Sequence, residues 1–302
     1  MPRNAKRETL FDEDFLRRLR RLALAGRKAL ARSAGGAHRA TDLGDGLEFA
    51  DHRDYSPGDE LRYVDWNIFG RLDRLQIRLF HRHTEQQVYL LVDCSGSMAA
   101  GQPSKEVFVK RCAAALAYLA RVNMDQVWIS PWANSAPGRE LVPQRTRSSR
   151  FSTILDYLAG LPMSGPGRLA DCAVQWARRS RPRGLAVLLT DAADLADLAA
   201  AVRPIARVSQ QMALLHVVSP QDAGQMPGGP LALVDPEGRP DPLRLVHDTE
   251  FRAAFRQQWA KYLAHVRSAA RAAGGVCVQA TSDQGWEKFL LSALRLIRMA
   301  TV

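Results

Sequence analysis

No stretch of this chain approaches the roughly 18 uninterrupted apolar residues of a membrane-spanning helix, so none is expected to cross a bilayer. The start, Met1-Pro-Arg-Asn-Ala-Lys-Arg-Glu, is polar and runs into Asp12, Glu13 and Asp14, without the apolar centre of a secretory leader. Cysteine is scarce. Cys94, Cys112, Cys172 and Cys277 show no CxxC spacing, which argues against a zinc-ribbon or thioredoxin-like motif. Three of them fall in segments that read as core, so a reduced cytoplasmic protein with buried thiols is expected. Lysine is scarce too, six residues against 36 arginines, a skew that GC-rich coding alone can produce. No repeat of solenoid-like period is visible, which excludes a stacked-repeat architecture.

What is present is an ordinary globular balance, 46% hydrophobic and 24% charged over 302 residues, enough for one large domain or two small ones. The net charge of +11 invites a nucleic-acid reading, but residues 1–39 hold 11 basic against 4 acidic residues and so carry +7 of it. The body is nearly balanced, and the basic character belongs to an N-terminal helical arm. Within it Phe15, Leu19, Leu22 and Leu30 recur near helical spacing over 12–33, with arginines between them. A solvated face on a surface helix is the favoured reading. Nucleic-acid binding by this arm is the alternative, and it requires salt-sensitive DNA or RNA affinity that disappears when 1–39 are deleted.

Residues 40–86 form a charged, aromatic, β-rich segment, with a turn at Ser56-Pro-Gly-Asp59 and a strand where Leu75, Ile77 and Leu79 alternate with polar neighbours. From residue 87, short apolar runs alternate with helical periodicity. Strands are expected at 88–93, 127–132, 185–191, 212–218 and 276–280, with another at 140–144. Helices are expected at 104–122, 150–160, 169–180, 194–208, 248–272 and 284–299. A hairpin insertion near 229–247 turns at Asp235-Pro-Glu-Gly238. The expected fold is therefore α/β, a doubly wound, mostly parallel six-strand sheet over 87–302.

The sharpest chemical signal is Asp93-Cys-Ser95-Gly-Ser97 at the end of the first buried strand. It gathers hard oxygen donors in one loop, suited to Mg²⁺ or Mn²⁺ rather than zinc. Asp191 ends its own strand in the same way. If those two strands are neighbours where the strand order reverses, both carboxylates face one crevice. The plainer alternative is a strand-end loop whose polar groups cap the next turn. A Gly-x-Ser-x-Gly hydrolase elbow is excluded because Ser95 stands where glycine is required, and no phosphate-binding glycine loop follows a strand. His81-Arg-His83 places two imidazoles on one strand face without a third ligand. Arg53, Asp59, Arg62 and Asp65 read as an ion-pair network, and Tyr55 and Trp66 as packing anchors.

Strand-Asp93-x-Ser95-x-Ser97, alternating α/β, then strand-Thr190-Asp191 resembles the metal-ion-dependent adhesion site of von Willebrand factor A domains. Upstream, Arg53-Asp-Tyr55-Ser-Pro-Gly58-Asp59-Glu-Leu-Arg62-Tyr-Val-Asp65-Trp66 is similar to the bacterial family called domain of unknown function fifty-eight, as is Leu233-Val-Asp-Pro-Glu-Gly238. The likeness covers about residues 40–280. It implies that Ser95 and Ser97 ligate Mg²⁺ or Mn²⁺ directly and that Asp93 and Asp191 act through water. Where the adhesion site places a threonine, this chain has Gly167, followed by Arg168 where an amide or acid is common. Ser164 and Asp171 are the nearby substitutes. Gly167, Arg168 and Asp194 are expected to meet the partner. The family resembles others encoded beside MoxR-type AAA ATPases, in pairs that assist assembly or metal-cofactor maturation of client proteins. The implied function is a soluble, non-enzymatic interaction module, with a metal-dependent hydrolase as the alternative.

Overall fold

A computed structural model describes Arg7 and residues 9–33, 43–81, 86–133, 136–137, 151–179, 184–237 and 241–299. The chain divides into two compact units, Leu24–Glu85 and a larger one of Met1–Ala23 with Gln86–Val302. The elements begin with α1 (Glu13–Ser33), β1 (Leu43–Asp54), α2 (Trp66–Leu72) and β2 (Gln76–His81). They continue with β3 (Gln87–Asp93), α3 (Lys105–Val122), β4 (Gln126–Ala133), β5 (Ala136–Pro137), α4 (Phe151–Gly160) and α5 (Leu169–Arg179). Then follow β6 (Gly184–Thr190), α6 (Leu195–Val208), β7 (Gln211–Val218), β8 (Gly229–Leu233), β9 (Leu243–His247), α7 (Thr249–Ala272), β10 (Val276–Thr281) and α8 (Trp286–Met299).

In the smaller unit β1 and β2 pair antiparallel, with Arg53 opposite Ile77 and Asp54 opposite Gln76. Helix α2 was not expected. It is short, and Asp65 starts it by accepting from the amides of Asn67 and Ile68 at 3.0 and 3.3 Å. The charged cluster resolves into separate pairs. Arg53 grips Asp59 with both terminal nitrogens, at 2.8 and 2.5 Å, and His52 Nε2 lies 3.0 Å from Asp65. Trp66 is not a buried anchor: it is 59% exposed, and its ring meets the edge of Phe69 at 6.1 Å. Of the two imidazoles expected on one face, His83 and the side chain of His81 lie outside the described residues.

In the larger unit the sheet order is β10-β7-β6-β3-β4-β5. The first five are parallel, and β5 is a two-residue antiparallel edge. The five parallel strands are those expected at 88–93, 127–132, 185–191, 212–218 and 276–280, and the sixth strand of the sheet is the short antiparallel β5. The segment 140–144, read as a further strand, lies outside the described residues. Continuous apolar runs form the strands because both faces are covered. Leu90 and Val92 of β3 join the core that includes residues of α1, α3 and α8, while Tyr89 and Leu91 join the core that includes residues of α5 and α6. The N-terminal helix takes part: Phe15 and Leu19 are 1% exposed and the Phe15 ring lies 4.9 Å from that of Trp286, while Arg17, Arg20 and Arg21 face outward. Cys94, Cys112 and Cys172 are buried, and burial pushes the Cys94 thiol up to about 12. Among the described residues no helix is long and apolar enough to cross a membrane.

Gly184 opens β6 beside Gln87 of β3, where an added Cβ would stand 2.1 Å from the Gln87 carbonyl oxygen. Strand spacing there depends on a missing side chain. Gly184→Ala is expected to lower unfolding free energy by about 1–3 kcal/mol through local overpacking, read by urea denaturation. An unchanged midpoint would mean the two strands separate without cost.

Candidate functional site

The order of the parallel strands decides where a site can form. From β3 the chain goes to β4 on one side and then to β6 on the other, so the order reverses between β3 and β6. The two strands pair in parallel, Val92 opposite Leu189. Asp93 and Asp191 therefore reach the same end of the sheet and line one crevice of about 560 Å³, together with Ser95, Ser97, Gly167 and Asp194. This is the juxtaposition that the strand-end motifs required.

Within it the donors are held by the backbone. Asp93 is 3% exposed; its Oδ1 accepts from the Ser95 amide at 2.9 Å and its Oδ2 from the Thr190 hydroxyl at 2.6 Å. The short 3-10 turn Gly96–Ala99 folds Ser97 back over Ser95, leaving the two buried hydroxyls 3.0 Å apart. Burial and the nearby charge of Asp191 push the Asp93 carboxyl up to about 7, well above the ordinary carboxylate range. Asp191 is matched differently. Its Oδ2 accepts from Lys105 Nζ at 2.7 Å, and the same ammonium reaches Asp222 at 2.8 Å. Burial pulls the Lys105 ammonium down, but the two carboxylates outweigh it and hold it above its usual value. Asp93 has no ion pair among the described residues.

Strain and clamps set the end of β6. Ala192 is fully buried at φ +52°, a left-handed conformation unusual for a residue with a Cβ. The Tyr262 hydroxyl donates to the carbonyls of Asp191 and Ala192, both at 2.9 Å. His216 Nε2 lies 3.0 Å from the Asp191 carbonyl, and burial pushes its imidazole down to about 4.

The remaining expected residues are placed unequally. Asp194 lines the crevice but also caps α6, accepting from the Ala196 and Asp197 amides at 2.8 and 3.1 Å. Arg168 turns outward at 60% exposure, its guanidinium 3.9 Å from Asp171, and neither residue lines the crevice. Ser164 is exposed and is tied down through its amide to the Cys94 carbonyl. Three acids that the motifs did not single out are there instead: Asp197, Asp235 and Glu237. Asp197 holds the start of α5 through the Leu169 and Ala170 amides. Glu237, from the hairpin, accepts from the Gly167 amide at 3.0 Å and the Ser97 amide at 3.4 Å. Its only sequence signal was membership of the Leu233–Gly238 stretch, which carries no ligand pattern of its own.

The donor set fits a hard divalent cation. The crevice is lined by six carboxylates and no basic side chain, with the hydroxyls of Ser95 and Ser97 among them and one carboxyl driven toward protonation by burial and the nearby Asp191 charge. Among the described residues no group of three or more His, Cys, Asp or Glu side chains converges as a metal cluster, so a cation here would lean on the serines.

The family described as "Protein of unknown function DUF58" matches residues 51–265. The chain is 26% identical over 294 residues to uncharacterized proteins of Mycobacterium bovis and Mycobacterium tuberculosis, across 94% of this chain and 90% of theirs. A crystal structure of an aerotolerance-related membrane protein from Bacteroides fragilis, carrying multiple mutations to serines, aligns with a TM-score of 0.42 at 16% identity. It covers 71% of this chain and 99% of that one.

The raised Asp93 carboxyl makes a pH prediction. A group that binds its proton more tightly folded than unfolded stabilises the fold at low pH, and that contribution fades as pH rises through about 4 to about 7. Asp93→Asn removes the charge while keeping the shape. In EDTA its melting temperature is expected to exceed that of the wild type at pH 8, with the gap closing toward pH 5. A pH-independent gap would show that Asp93 stays ionised without cost.

Proposed function

We propose that this chain, which belongs to the DUF58 family of proteins of unknown function, is a protein-interaction module whose crevice holds Mg²⁺ or Mn²⁺ and through it an acidic side chain of a partner. The observation that carries the reading is the meeting of Asp93, Ser95, Ser97 and Asp191 at one strand-order reversal, with Asp93 short of positive charge. Ser95 and Ser97 would hold the cation directly, and Asp93 and Asp191 would orient its waters. The cation supplies the positive charge that an acid-lined crevice otherwise lacks. Without it, a partner carboxylate entering among Asp93, Asp191 and Asp194 meets like charge in a partly buried space, which disfavours binding. Binding should therefore depend almost wholly on the ion, and the few protein ligands leave it an open position. By the family likeness, the partner is a MoxR-type AAA ATPase and the object of their work a client protein undergoing assembly or maturation.

Immobilised wild-type chain in Mg²⁺ is expected to retain such an ATPase from native lysate. Retention should vanish with EDTA and with Asp93→Ala. Retention that survives both treatments would remove the crevice from the interaction. Metal-dependent turnover of phosphoesters or peptides that is lost in Asp93→Ala would replace the binding module with a hydrolase.

A further inference from the structure

We propose that Glu237, carried on the β8–β9 hairpin, is an in-chain oxygen ligand that replaces the missing threonine at position 167 and ties the hairpin to the cation. The inference rests on the cation reading above and extends it to a residue outside the adhesion-site pattern.

Position comes first. A Cβ built on Gly167 would lie 3.5 Å from Glu237 Oε1, 3.6 Å from Ser95 Oγ and 3.3 Å from Ser95 Cβ. The Glu237 carboxylate and the Ser95 hydroxyl thus both border the space a side chain at 167 would enter. Its two oxygens are held unequally. Oε2 accepts from the Gly167 amide at 3.0 Å, while Oε1, among the described residues, has only the 3.4 Å contact to the Ser97 amide. A carboxylate oxygen with one long hydrogen bond keeps lone-pair capacity for a cation.

The seat is built for this residue. The tip turns because Asp235 accepts from the Glu237 amide at 2.8 Å. A Cβ on Gly96 would come within 2.6 Å of the Pro236 carbonyl oxygen, so the tip rests directly on the bare backbone of the serine loop. The root of the hairpin is anchored, with His247 buried and its Nδ1 2.8 Å from the Pro227 carbonyl. Among the described residues of its outer part, Val234 and Leu243 are 73% and 64% exposed. Among the described residues, the tip meets the crevice through the Pro236 backbone against Gly96 and the Glu237 carboxylate on the Gly167 and Ser97 amides.

Electrostatics then couples the two. Glu237 enters a crevice already lined by Asp93, Asp191 and Asp194, an arrangement that repels it unless positive charge lies between them. A cation shared by the serines and Glu237 turns that repulsion into attraction. Metal binding and docking of the hairpin tip become one event, and the open side of the ion is set by where the hairpin lies.

The test is Mn²⁺ binding to the full chain, followed by the paramagnetic signal of the free ion, with hydrogen exchange over residues 229–237 as a second readout. Glu237→Gln keeps an acceptor for the Gly167 amide but loses the charge. It is expected to weaken Mn²⁺ at least about tenfold, on the scale of metal-site mutations. It should also abolish the protection that Mn²⁺ confers on 229–237 in the wild type. Adding Gly167→Thr to Glu237→Gln should recover Mn²⁺ affinity without recovering that protection, and Asp93→Asn should lose both. If Glu237→Gln binds Mn²⁺ as the wild type does while Asp93→Asn does not, Glu237 is no ligand and the cation site stands without it. If the wild type itself binds no Mn²⁺, the cation reading falls and takes this one with it.

Discussion

Two carboxylates, Asp93 and Asp191, end neighbouring parallel strands out of water, and one buried ammonium serves this end of the sheet. Lys105 is 3% exposed and divides itself between Asp191 and Asp222, which leaves Asp93 to hydrogen bonds from Ser95 and Thr190. Hydrogen bonds orient a carboxylate but do not neutralise it. A buried charge without a partner either takes up a proton or attracts a cation. The chemistry of the crevice follows from that imbalance. Lys110, also buried, is bound elsewhere, to Glu106 and to the Leu161 carbonyl, both at 2.7 Å.

The acidity of the crevice is only partly a matter of function. Asp194 caps α6, Asp197 holds the first amides of α5, and Asp235 shapes the hairpin turn. Each would be there in a protein with no ligand, because helix starts and tight turns leave amides that an acid satisfies. Their charges nevertheless add to the field in the crevice. A fold that brings helix starts to the C-terminal ends of parallel strands gathers acids at that end of the sheet. Asp93 and Glu237 are different. The first is buried beyond what capping needs, and the second reaches the serine loop from a hairpin that the sheet does not require.

Periodicity was a good guide where one signal dominated. The buried strands and long helices of the larger unit lie within a few residues of where apolar spacing places them, and the hairpin is where its turn residues put it. It failed where competing signals were of similar strength. The Trp66–Leu72 helix is only seven residues long, too short for a periodic stripe, and it exists because Asp65 caps it. Trp66, expected as a packing anchor, is exposed at the start of that helix. Arg168 stands beside Gly167 in sequence but faces Asp171, since the direction of a side chain at the start of a helix depends on the helix turn, not on proximity along the chain.

The sequence by itself determined that Asp93, Ser95 and Ser97 share one tight loop and that Asp93 and Asp191 each end a buried strand, because strand ends and short loops are local. It also determined the alternation of apolar runs and helices that makes the sheet parallel and covered on both faces. Only the tertiary structure decided that β3 and β6 are neighbours, that Lys105 answers Asp191 across 86 residues, and that Glu237 reaches Ser97 across 140. These are contacts between side chains far apart in the chain. No local propensity encodes them, and they arise only when strand order and hairpin placement bring the separate segments to one end of the sheet.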